Sequence, residues 1–161
     1  MAGARLEING WETGIKFTAA HFLPAIEKCS RLHGHNYAVS IRIEGERGEE
    51  GIVVDFTIIR DALRDFTKAL DHKLLLPERA KDMVINKRGD SVEVEFNGKH
   101  YAFPSVDIAF IPIEHTSAEE IAEFLCEKVV RASLLGERVK SLSVGVAEGR
   151  GQEAWVERIL H

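Results

Sequence analysis

The chain has 161 residues, 45% hydrophobic and 29% charged, an ordinary globular balance that excludes a disordered or fibrous protein. With 21 basic against 26 acidic side chains the formal charge is -5, and no basic run interleaved with aromatics tracks a phosphate backbone, so nucleic acid is not an expected ligand. No apolar stretch approaches the roughly 20 residues that cross a bilayer, and Met1 to Gly10 lacks the order of a signal peptide, so a cytoplasmic protein is expected.

The length suits a single domain over 1–161. Residues 11–20 read as an extended segment, and Tyr37, Val39, Ile41 and Ile43 then alternate at period two, which makes these the first two predicted strands. The loop between them carries His21, Cys29, His33 and His35. Residues 45–51 form a polar turn, and Asp55 caps a helix whose Ile59, Leu63, Phe66 and Leu70 share one face.

Val92, Val94 and Phe96, then Asn97-Gly98, then Tyr101 and Phe103 predict a local hairpin inserted around 82–113. Thr116 and Ser117 stand three residues before Glu119 and Glu120, the capping-box pattern, and Ile121, Phe124, Leu125, Val129 and Ala132 continue an apolar stripe. Cys126, on the flank of that helix, reads as packing. Leu142, Val144 and Val146, the turn 149–151, and Ala154 to Val156 make a closing hairpin. This order predicts an α+β fold with two helices packed on one face of an antiparallel sheet.

His33-Gly34-His35 places two imidazoles at alternate positions, so on a strand both point to one face and can converge on one ion. His21 ends the preceding strand, and a short loop can bring it opposite the pair. Three histidines with no evident fourth ligand match an open, catalytic zinc site. The bland reading is a polar turn beside a partly buried histidine.

Cys29, four residues before His33, lies close enough for a bound metal to favour its thiolate and make it a general base. It can equally close the site as a fourth ligand, giving an inert zinc module. Asp71-His72, past the first helix, suits a proton shuttle or a helix-ending charged pair. Glu148 ends a strand, where a carboxylate can grip a guanidine-like ring edge or simply face solvent. His115 stands either as a contact near the site or as a surface residue before a helix.

Taken together, Phe17-x-Ala19-Ala20-His21, Cys29-x-x-x-His33-Gly34-His35-Asn36-Tyr37, Gly51-Ile52-Val53-Val54-Asp55-Phe56, Asp71-His72 and Glu148 resemble the 6-pyruvoyl-tetrahydropterin and 6-carboxy-tetrahydropterin synthase family. The resemblance implies a tunnelling fold whose subunits join sheets into an oligomeric barrel and a homohexamer with active sites between subunits. It also implies zinc on His21, His33 and His35 and the substrate 7,8-dihydroneopterin triphosphate. Cys29 is then the general base, Asp71 and His72 are its relay partner, and Glu148 anchors the pterin edge.

The three-residue gap between Cys29 and His33 resembles the 6-carboxy branch, a lyase that releases acetaldehyde and triphosphate on the way to queuosine or archaeosine. A longer gap marks the branch that forms 6-pyruvoyl-tetrahydropterin from the same substrate. An aldolase-like branch has a glutamate where this chain has Ser30. Two features depart from the family pattern: the long stretch 81–113, and Glu114-His115-Thr116 where a Pro-Thr is common. The residues that bind the triphosphate are left open among Lys16, Arg31, Lys73 and others.

Overall fold

The computed structural model describes residues 3–160. Its main sheet has seven strands. These are β1 (Gly3–Ile8), β2 (Lys16–His21), β3 (His33–Glu46), β4 (Lys73–Pro77), β8 (Ile108–Ile111), β9 (Val139–Gly149) and β10 (Gln152–Ile159). Between β4 and β8 the chain forms a second, three-stranded sheet of β5 (Val84–Arg88), β6 (Ser91–Phe96) and β7 (Lys99–Pro104). Helix α1 (Gly10–Thr13) is a single turn; α2 (Phe56–Lys68) and α3 (Ala118–Arg131) are the long helices.

The 14-residue strand β3 is the spine of the sheet. One edge pairs first with β2 and then with β1, while the other pairs with β9, all antiparallel. Its residues Tyr37, Val39, Ile41 and Ile43 form one core with Ile59 and Leu63 of α2 and Ile121, Leu125 and Val129 of α3. Period two on the strand thus meets period 3.6 on the helices, and both helices cover the same sheet face. Leu63 is fully buried, and Leu63→Ala would cost about 2–5 kcal/mol.

Both helices start on side-chain caps. The Asp55 carboxylate accepts from the Thr57 amide, and the Ser117 hydroxyl accepts from the Glu120 amide. The capping box is only half made. Instead of returning to the Ser117 amide, Glu120 Oε2 accepts from the amides of Glu114 and His115.

Strand β4 is buried on both faces. Leu75 enters the helix-side core, while Leu74 and Leu76 join Phe22, Val92, Val94 and Phe96 in a second core under the small sheet. The continuous apolar run Leu74-Leu75-Leu76 is the signature of such a sandwiched strand.

Three sequence expectations change. The sheet is mixed rather than antiparallel, because β4 runs parallel to both β2 and β8. Residues 11–20 are not one extended segment: the Asn9 side chain accepts from the Trp11 and Glu12 amides, and Gly14, left-handed at φ 71°, ends the helical turn. Strand β1, pairing with β3, precedes the strand expected to be first. In the small sheet, Asn97 and Gly98 take positive φ (49° and 72°) and turn β6 into β7. The last residues of 82–113 return to the main sheet as β8.

Candidate metal centre and active site

Register builds the candidate metal centre. His21, the last residue of β2, stands directly opposite His33, the first of β3, and His35 follows two positions on along the same face. Ring centroids lie 4.4 Å apart for His21 and His33 and 5.1 Å for His33 and His35. One nitrogen from each ring lies within 4.8 Å of the others.

Gly34 makes this convergence possible through space rather than flexibility. A β-carbon there would meet the Ala19 carbonyl oxygen at 2.6 Å, so any side chain would push β2 and β3 apart between the histidines.

Two of the rings are oriented by backbone carbonyls. His21 Nδ1 lies 2.7 Å from the Thr116 carbonyl and His33 Nδ1 lies 2.7 Å from that of Arg31. A carbonyl only accepts, so each Nδ1 carries the proton and each Nε2 presents a lone pair.

His21 Nε2 is buried with no hydrogen-bond partner. Burial, with smaller contributions from His33 and His35, lowers the His21 pKa to about 4 against the opposing pull of the Thr116 carbonyl. The ring is therefore neutral at neutral pH, the form that ligates. An orphaned buried lone pair among three convergent imidazoles fits a borderline cation such as zinc, and the half-exposed sides of His33 and His35 leave room for a further ligand.

The segment that orients His21 is itself held. Thr116 is fully buried, and its hydroxyl donates to the Phe22 carbonyl. Burial raises the Glu120 pKa, but the His115 amide, the His115 ring and the Glu114 amide outweigh it and hold the carboxyl low. His115 Nδ1 sits 2.8 Å from Glu120 Oε1, so this partly exposed histidine is tied into the strap formed by residues 114–116.

Cys29 and Glu148 line one open cleft of about 400 Å³, together with Ser117, Glu119 and Glu153. Glu148 Oε2 is 3.8 Å from His35 Nε2, too far for a hydrogen bond but enough to place the carboxylate beside the histidines. Among the described residues Cys29 is not part of the converging ligand group. A larger cleft of about 900 Å³ along α3, lined by Phe66, Phe124 and Lys128, contains none of the candidate catalytic or metal residues.

Asp71 and His72 lie elsewhere. The Thr18 amide donates to Asp71 Oδ1 (2.8 Å) and the His72 amide donates to the Thr18 carbonyl (2.7 Å), which fixes the pair on the β4 side of β2. His72 takes a left-handed φ of 57°, and its Nδ1 is 2.9 Å from Asp71 Oδ2. The Thr18 amide is the main cause that lowers the Asp71 pKa, with His72 adding to it. Neither residue lines the cleft of Cys29. Cys126 is buried, and burial pushes its thiol up to about 11, in keeping with a packing role.

Sequence reasoning missed Thr116, whose contribution is a backbone carbonyl and leaves no signature in the residue type. It read Glu120 only as a cap, although the acidic residue three positions after Ser117 was the available signal.

The fold and the site define an α+β protein with an open three-histidine group beside a carboxylate that shares a cleft with a thiol. Residues 12–158 match the family model for 6-pyruvoyl tetrahydropterin synthase. A Methanocaldococcus jannaschii protein named as a candidate 6-carboxy-5,6,7,8-tetrahydropterin synthase is 32% identical over 158 residues, 96% of this chain and 97% of that one. The 6-carboxy-5,6,7,8-tetrahydropterin synthase of Aquifex aeolicus is 26% identical over 113 residues, 70% of this chain and 65% of that one. The crystal structure of 6-pyruvoyl tetrahydropterin synthase from Plasmodium vivax superposes with a TM-score of 0.91 at 32% identity, covering 99% of this chain and 100% of that one. The chain belongs to the 6-pyruvoyl tetrahydropterin synthase family and is an enzyme of tetrahydropterin synthesis.

Proposed function

We propose that this enzyme is a zinc-dependent lyase that converts 7,8-dihydroneopterin triphosphate and water to 6-carboxy-5,6,7,8-tetrahydropterin, releasing acetaldehyde and triphosphate. The observation that carries this reading is the cleft shared by Cys29 and Glu148, whose carboxylate stands beside His35. The relatives named 6-carboxy-tetrahydropterin synthase support the choice of product.

Zinc bound by His21, His33 and His35 would supply Lewis acidity toward the hydroxyls of the substrate side chain. The Glu148 carboxylate accepts paired N–H donors from the amino-pyrimidine edge and so fixes the ring at the mouth of the cleft. Cys29 takes the carbon-bound proton next to those hydroxyls and returns it after cleavage. Asp71 and His72, outside the cleft of their own chain, serve the cleft of a neighbouring copy in a homohexamer.

A second reading, elimination of triphosphate to 6-pyruvoyl-tetrahydropterin, is favoured by the likeness to the Plasmodium enzyme. In two Plasmodium vivax structures, however, a glutamate named as a catalytic residue is replaced. Here the thiol of Cys29 lines the cleft, and Ser30 stands three residues before His33. The inert zinc module requires Cys29 as a ligand, and the converging group is histidine alone among the described residues. The mass of the pterin product formed from dihydroneopterin triphosphate tests the proposal: 6-carboxy-tetrahydropterin supports it, and the 6-pyruvoyl product overturns it.

A further inference from the structure

We propose that Lys99, assisted by Asn97, is a positioning residue for Cys29, and that the small three-stranded sheet serves to pin the loop carrying this thiol. The proposal rests on the reading of Cys29 as the proton-moving group.

Residues 22–32 contain no strand or helix. Their internal bonds make the loop compact: the Leu23 amide donates to the Cys29 carbonyl (2.8 Å), the Ser30 amide to Ile26 (2.7 Å) and the Ser30 hydroxyl to Glu27 (2.8 Å). These bonds shape the loop without fixing it to the body of the protein. Thr116 holds the Phe22 carbonyl and His33 that of Arg31, at the two ends of the loop, and the small sheet supplies the anchors between them.

Phe22, where the loop begins, packs 5.1 Å from Phe96 and 5.0 Å from Tyr101 between ring centroids. Asn97, at the tip of the β6–β7 turn, donates from Nδ2 to the Pro24 carbonyl at 2.9 Å. Lys99 Nζ donates to the Ser30 carbonyl at 2.8 Å and to the Ser30 hydroxyl at 3.2 Å.

Lys99 makes no ion pair among the described residues. Its half-buried ammonium is directed at Ser30 and lies 5.5 Å from the centroid of the Phe96 ring. Ser30 is only 7% exposed, so without Lys99 its carbonyl loses a charge-assisted partner in a place where water is scarce. Ser30 directly follows Cys29, and a shift in its backbone moves the thiol. Misplacing a reacting group by an ångström costs on the order of a hundredfold in rate.

The test compares Lys99→Met, Lys99→Arg and Asn97→Asp in the zinc-loaded protein. Asn97→Asp tolerates the same turn but replaces the donor to Pro24 with an acceptor, so it addresses the pin even where Lys99→Met fails to fold. Lys99→Met is expected to lower kcat about ten- to a hundredfold with KM and zinc content little changed. Lys99→Arg, which can still donate to Ser30, is expected to recover much of that loss.

Alkylation of Cys29 by iodoacetamide, read by peptide mass with buried Cys126 as the internal control, is expected to change severalfold in Lys99→Met and Asn97→Asp. This readout does not need turnover. A wild-type protein inactive on the pterin would overturn the functional reading while leaving the pin open to test. An unchanged kcat in both variants, or an unchanged alkylation rate of Cys29, would overturn the pin.

Discussion

His21 Nδ1 lies 2.7 Å from the carbonyl oxygen of Thr116, so the residue before the cap of helix α3 sets the orientation of one imidazole of the candidate metal centre, on strand β2. The strap 114–116 is held in turn by Glu120, which accepts from two of its amides and from the His115 ring. Glu120→Gln removes one of the two acceptor oxygens and should loosen the strap. Outer-shell changes of this kind cost about 10- to 100-fold in metal affinity, so competition with a chromophoric chelator should show weaker zinc binding at that scale. Unchanged affinity would mean that His21 does not depend on the strap.

Cys29→Ser should retain zinc and lose turnover by a factor on the order of 10²–10⁴, the contribution of a positioned general base. Zinc content and rate measured on one sample decide this. If zinc leaves with the thiol, Cys29 is a ligand and the base assignment fails.

Glu148→Gln keeps the size of the side chain but removes the charge that receives two N–H donors. Loss of about 1.5–3 kcal/mol from that interaction predicts a fall of roughly 10- to 100-fold in kcat/KM, with zinc retained. Full activity in this variant would remove Glu148 from substrate recognition.

Asp71 and His72 do not line the cleft of their own chain, and on the proposal that they serve the cleft of a neighbouring copy, complementation is expected. Cys29→Ala and His72→Ala should each be inactive alone. Unfolded, mixed and refolded together, they should recover part of the wild-type rate, because some clefts then combine an intact Cys29 with an intact His72. No recovery from correctly assembled mixtures would place the relay elsewhere.

The metal-free protein should weaken in acid. His21 has a pKa of about 4 when folded against 6.5 for the free side chain. Between these values the unfolded chain binds more protons. Stability present above about 6.5 is therefore lost as pH falls toward 4, by up to about 3 kcal/mol. Asp71, held low by Thr18, acts in the same direction as pH falls through its folded value, but its exposure makes the contribution small. Urea unfolding at pH 7 and pH 4.5 should show a smaller loss for His21→Asn than for the wild type. Equal losses would contradict the assignment to His21.

Much of this molecule is legible in its sequence where periodicity and caps are strong. Tyr37 to Ile43 alternate into the core, Asp55 and Ser117 cap the long helices, and His33-Gly34-His35 puts two imidazoles on one face. Strand β1 escapes notice because it buries only Ile8, too little alternation to register. The parallel pairing of β4 escapes for a different reason: Leu74-Leu75-Leu76 announces a buried strand but carries no information about its direction. The space requirement at Gly34, the carbonyl of Thr116 and the reach of Lys99 to Ser30 all depend on distant backbone that only folding brings near.

The most direct test of the central claim is the ratio of acetaldehyde to triphosphate released when the zinc-loaded enzyme turns over dihydroneopterin triphosphate. Carbon–carbon cleavage predicts equal amounts of the two. Triphosphate released without acetaldehyde would contradict it.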